Sequence, residues 1–202
     1  MDAATAPSVA VPGARAARRR AVAVAVPLAV IGATLGPVLD GLHTWSGTIW
    51  YASPGWMRSV WWCPPLFCGA ALSIGLSRLW LDRRSPPGAG ARPSSGQVAW
   101  ASLAFVAAYA ASGYLPGGSL AKCAALGALA AGGWVALERT RAGLWHGALA
   151  AAGGWAVEYA LVRAGLFTHL TGELAGVAAW IPLLYFSGAT AIGLLARRLD
   201  PQ

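Results

Sequence analysis

Seven acids, three histidines and three cysteines are all that 202 residues offer for side-chain chemistry. His43, His146 and His169 are far apart in the chain, and the sequence carries no HExxH, GxSxG or Asp-rich metal signature. Cys63 and Cys68 stand five apart, a spacing that suits neither a CxxC redox pair nor a zinc site. With Cys123 they fall inside apolar runs, where thiols serve as packing. Asp40, Asp82 and Glu173 sit near the ends of such runs without paired partners, whereas Glu158 lies near the middle of one. A carboxylate there is expensive enough to read as functional by default: a group bonded to a neighbouring helix, a contact for a lipid headgroup, or a handler of protons or ions. Nothing in this inventory supports catalysis, and no metal or cofactor is implied.

The elements that must position Glu158 are membrane spans. The chain is 57% hydrophobic and 11% charged, with mean hydropathy +0.55, against roughly 25% charged residues in an ordinary soluble domain. A window of about 19 residues marks six spans, at 21–39, 57–81, 97–113, 119–137, 143–167 and 174–196. Each is close to the roughly 20 residues that cross a bilayer. The expected fold class is therefore all-α, a polytopic membrane protein built as one six-helix bundle. Residues 1–20 read as a disordered cytoplasmic tail, although Arg18–Arg20 and the apolar run behind them also have the layout of a signal peptide. Ser85–Ser95 reads as a flexible linker.

Of the 15 Lys and Arg residues, 12 flank the spans on one side, leaving Arg58, Lys122 and Arg163 on the other. The positive-inside rule then puts both termini in the cytoplasm. It also explains the net charge of +8 as topology and contact with anionic lipid, so nucleic acid is not an expected partner. One Lys against 14 Arg suggests a GC-rich bacterium, and hence the plasma membrane. Small residues at i+4, Gly69-Ser73-Ser77 and Gly143-Gly147-Ala151, read as helix-packing stripes.

Pro64 and Pro65 interrupt the second run. Placed inside a helix they would free the carbonyls of Val60 and Trp61 and kink it, and in lipid such groups are tolerated only facing protein, a polar ligand or water. With Trp61, Trp62 and Phe67 beside it, Pro64 marks either a candidate wall of an internal pocket or a kink that merely improves packing, and Pro27 and Pro182 would open similar gaps.

Three stretches, SVWWCPPLFCGAALSIGLSRLWLD (Ser59–Asp82), GGWVALERTRAGL (Gly132–Leu144) and WIPLLYFSGATAIGLLARRL (Trp180–Leu199), keep order and spacing across roughly residues 55–200. Together they resemble the Insig (insulin-induced gene protein) family. The resemblance implies a six-span, non-catalytic lipid sensor. Animal Insigs sit in the endoplasmic reticulum, bind oxysterols, and act on the escort protein Scap and on HMG-CoA reductase. It further implies lipid contact at Phe105 and Trp134 and partner contact at Glu138, where the family has Asp. Tyr109 stands where the family has Asn, and the family's Gln in the fourth span falls at Ala121 or Lys122. The expectation is a sterol-like or diacylglycerol-like lipid in a pocket bounded by spans two to five and reached from the bilayer. Glu158 is the candidate headgroup contact, occupancy is read by a partner membrane protein, and self-association is compatible. The alternative is a small proton- or ion-coupled transporter using Glu158.

Overall fold

The computed structural model describes residues 12–85 and 91–201. Six helices follow one another: α1 Pro12–Ser46, α2 Cys63–Arg84, α3 Ser95–Tyr114, α4 Ser119–Gly133, α5 Arg141–Arg163 and α6 Ile181–Leu199. The all-α bundle is as expected, but several boundaries differ for identifiable reasons. Residues 12–20 of the expected tail form the first turns of α1, with Ala and Arg, strong helix formers, supplying most of them. Residues 1–11 and the centre of the expected linker, 86–90, lie outside the described residues. α3 starts on a capping box: the Ser94 hydroxyl accepts from the Gln97 N–H at 3.1 Å while the Gln97 side chain accepts from the Ser94 N–H at 2.9 Å.

The expected second span loses its first turns. Pro64 and Pro65 occupy the opening turn of α2, where an N–H would be unpaired anyway and a fixed φ favours helix initiation. The double proline is thus a start signal, and no mid-helix kink exists; the Val60 carbonyl accepts from the Cys63 N–H at 3.1 Å. Pro182 plays the same part in α6. Pro27 and Pro37 do lie inside α1. The expected sixth span loses 174–180 to a folded loop in which Val177, Ala178 and Trp180 are buried. Glu173 anchors that loop, accepting from the Ser119 hydroxyl and the Ala179 N–H. The Ser119 bond holds its carboxyl below the usual carboxylate range.

At the end of the bundle opposite most of the arginines, β1 (Ile49–Tyr51) pairs antiparallel with β2 (Phe167–His169), placing Ile49 opposite His169 and Tyr51 opposite Phe167. This ribbon takes up the residues after α5, so that helix ends at Arg163 and Glu158 sits in its last two turns rather than at mid-span. α6 is the hub and packs against all five other helices. Its Gly188, Ala189, Ala191 and Gly193 let backbones approach, and Gly188 faces the Phe105 ring directly. The outer surface is studded with half-exposed Val22, Val26, Val30, Leu103 and Leu149. Residues 15–46 and 119–138 are long and apolar enough to cross a bilayer by length and composition alone.

Candidate functional site: an apolar pocket with a polar end

A cavity of about 720 Å³ runs through the bundle, bounded by α1, α2, α3, α5, α6 and the ribbon. The expectation of a pocket between spans two and five needs correction: α1 and α6 line it and α4 does not, because α4 packs on the outside against α3 and α6. On α5 the lining runs from His146 to Leu161. The 12 residues from His146 to Glu158 correspond to a depth of about 18 Å at helical rise.

Residues that both line the cavity and are exposed mark where it meets lipid. Among them are Gly69 and Ser73 on α2, Leu149, Gly153 and Val157 on α5, Leu35 on α1 and Val106 on α3, so the cavity is open toward the bilayer. The Gly69-Ser73-Ser77 stripe therefore edges the pocket instead of seating a helix, and a side chain at Gly69 or Gly153 would meet open space. Gly143 and Gly147 do pack closely, against Glu138 and the Phe186 ring.

The ribbon end is polar. Asp40, near the end of α1, is buried; its Oδ2 accepts from the Tyr51 hydroxyl at 2.9 Å and from the Cys63 thiol at 3.8 Å. Burial, then the Asp40 charge, push the Tyr51 phenol well above its usual range, so it stays protonated and donates. Across the cavity the Tyr185 hydroxyl donates to Glu158 Oε1 at 3.0 Å. His169 Nε2 lies 3.3 Å from Glu158 Oε2 but out of alignment, so neither ring nitrogen of this buried side chain has a hydrogen-bond partner among the described residues. His43 stacks on Tyr109 and meets the Ser112 hydroxyl at 2.8 Å. That hydroxyl already donates to the Tyr109 carbonyl, so His43 must donate through Nε2. Lys122 donates to the Ser112 carbonyl at 2.6 Å.

The opposite end is closed by charge. Arg78, 1% exposed, donates to Glu138 Oε1 at 2.6 Å and to Asp82 at 3.1 Å; Arg197 reaches Asp82 at 3.2 Å and Glu138 at 3.5 Å. A π-helical turn, Trp134–Glu138, ends α4 and swings Glu138 inward, where the Thr140 hydroxyl also donates to it at 2.6 Å. His146, which is buried, donates to the Ile74 carbonyl at 2.8 Å and ties α5 to α2 just above this cluster.

Of the residues singled out from the sequence, Trp62, Phe67, Phe105, Tyr109 and Glu158 line the cavity. Trp61 is 86% exposed and points away, because the chain turns between it and the start of α2. Pro64 lies beside the lining residue Pro65 without reaching the cavity. Trp134 is outside the cavity too, its indole donating to the Thr140 carbonyl at 3.1 Å. Glu138 is held in the ion cluster with a side chain 2% exposed, which leaves it no free face for a partner. Sequence reasoning missed Asp40, Tyr51, His169 and Tyr185. Spacing gives no sign of them, since they converge only through the ribbon and the α5–α6 crossing.

These features define an integral membrane protein of six helices enclosing a pocket that opens sideways. The same architecture is found in a mycobacterial Insig homologue from Mycobacterium vanbaalenii, MvINS: its crystal structure superposes with TM-score 0.78 at 28% identity, over 90% of this chain and 97% of that one. A cross-linked MvINS variant forms a trimer. Insulin-induced gene 1 protein of Xenopus laevis is 29% identical over 147 residues, 70% of this chain. That of Gallus gallus is 27% identical over 191 residues, 90% of this chain and 74% of the relative. The chain spans 57% of the length of the Xenopus protein. No family profile matches the chain. Sequence and fold together make the chain similar to Insig proteins, and to the bacterial homologue over nearly its whole length.

Proposed function

We propose that the protein holds a two-tailed lipid with an uncharged, hydroxyl-bearing head of the diacylglycerol type, and that occupancy alters a surface read by a partner membrane protein. The observation that carries this reading is the cavity itself: apolar walls, exposed lining residues on four helices and one polar end. Lining exposed to lipid on α1, α2, α3 and α5 suits flexible acyl chains better than one rigid sterol. A phosphate head is disfavoured, because Asp40 and Glu158 line the polar end and no Lys or Arg is among the lining residues. Unpartnered nitrogens on His169 suit a hydroxyl that donates and accepts.

The test is native and lipid mass spectrometry of protein purified in mild detergent, wild type against Gly153→Leu and Trp134→Ala. Leucine at 153 projects into open space of the cavity and should remove most of the retained lipid without unfolding the bundle. Trp134→Ala should leave retention unchanged. Bulk phospholipid bound equally by wild type and Gly153→Leu would reject the pocket reading. A transporter using Glu158 instead predicts pH- or voltage-dependent flux in liposomes, lost in Glu158→Gln. Between Glu158 and His146 the lining is apolar except for Ser73, Ser77 and Ser102, which argues against a proton relay.

A further inference from the structure

The polar end of the pocket has more negative chemistry than a neutral hydroxyl needs. Asp40 and Glu158 both line it, and the lining contains no Lys or Arg to balance them. Asp40 uses only Oδ2 for its two bonds, and Oδ1 accepts from no described residue. Glu158 uses Oε1 for Tyr185, leaving Oε2 opposite the misaligned His169. Around these carboxylates the lining is aromatic: Tyr51, Trp62, Tyr109, Phe167 and Tyr185. Tyr51 meets Trp62 edge-on at 5.4 Å and Phe167 at 5.7 Å, so these three rings form one wall. The His169 side chain, 1% exposed and without a hydrogen-bond partner, adds a lone pair at the same place.

Aromatic faces attract a desolvated cation most strongly when water is excluded, and rings grouped around a carboxylate are the usual solution for ammonium ligands. A buried carboxylate met only by neutral donors is in turn costly, and a ligand cation relieves that cost. We infer that the polar end is also an ammonium site, and that the pocket takes an amphiphile whose head is a primary or quaternary amine on a long alkyl chain. The proposal rests on the reading of the cavity as a lipid pocket and adds to it a preference for positive charge. The neutral two-tailed lipid and the cationic amphiphile then compete for one place, and anionic amphiphiles are excluded by the same carboxylates.

The experiment is competition in dodecyl maltoside between a pyrene-labelled diacylglycerol and three probes of equal chain length: trimethyloctadecylammonium, octadecanol and octadecyl sulfate. The ammonium probe is expected to displace the label at about tenfold lower concentration than the alcohol, and the sulfate not at all. In Asp40→Asn, in Glu158→Gln and in the double variant the ratio of ammonium to alcohol potency should fall toward one, whatever happens to overall affinity. The single variants keep the ratio measurable if the double variant does not fold. Equal potency of ammonium and alcohol on the wild type, or a ratio that survives both single substitutions, would overturn the proposal. Failure of the labelled diacylglycerol to bind would instead reject the neutral-lipid reading. Native mass spectrometry with each probe alone then decides the ammonium site by the same ratio.

Discussion

Burying Arg78 and Glu138 together at the closed end of the pocket is tolerable only because each charge is met several times over. Arg78 serves Glu138 and Asp82, and Glu138 receives Arg78, Arg197 and Thr140. Removing one partner of such a pair leaves the other desolvated, at a cost of roughly 3–5 kcal/mol. Because Asp82 still faces Arg78, Glu138→Ala should fall near about 3 kcal/mol, visible as a clear drop in thermal unfolding temperature in detergent. Replacing both partners by apolar groups, Arg78→Met with Glu138→Leu, should recover most of the loss, since Asp82 and Arg197 remain paired with each other at 3.2 Å. A double variant no better than Glu138→Ala would show that packing, not charge, holds this end. The acidic side chain was visible in the sequence through its family position, yet its direction was not. A π turn closed by Arg139 in the left-handed region decides that, and single-residue bulges leave little trace in composition.

At the scale of elements, two neighbouring glycines on α5 separate what helix packing needs from what the pocket needs. Gly153 borders the cavity, with nothing within 4 Å of an added Cβ. Gly154 is buried against the Tyr185 ring, and an added Cβ would overlap it. Gly154→Leu should therefore push α6 away from α5, displace the Tyr185 hydroxyl from Glu158, and destabilise the fold by roughly 1–3 kcal/mol or more through overpacking. Gly153→Leu should keep or slightly raise stability through better helix propensity. The check is the pair of unfolding curves; equal losses would mean that the two faces of α5 are not distinct. The six helices were legible because long apolar runs separated by charged turns leave few alternatives. The ends of the runs were not. Proline reads identically as a kink or a first turn until the backbone bonds before it are known, and the ribbon pairs segments more than 100 residues apart. For the same reason Trp61 and Trp62, adjacent in sequence, part company: one faces away from the protein and the other lines the cavity.

For the whole molecule, the charges give the pocket a direction across the bilayer. Arg92 bonds to the Arg198 carbonyl, Arg197 to that of Ala91, and Arg197 and Arg78 share Asp82 and Glu138, so the arginine-rich connections gather at the closed end. Arg58 lies over the Trp45 ring and Lys122 meets Ser112 at the other end, beside the exposed Trp50 and Trp56. If Lys and Arg asymmetry sets orientation as it does in short-looped membrane proteins, the ion cluster and both termini face the cytoplasm. The polar end of the pocket then lies at the depth of the outer leaflet, where its ligand's head must be drawn from. In a background with the native cysteines replaced by alanine, Ser53→Cys in intact bacteria should react with a membrane-impermeant maleimide. Asp200→Cys should react only after the cells are opened. The reverse pattern would place the carboxylates, the histidine and the aromatic wall at inner-leaflet depth, so that the pocket would sample lipid made at the cytoplasmic surface rather than lipid that has already crossed.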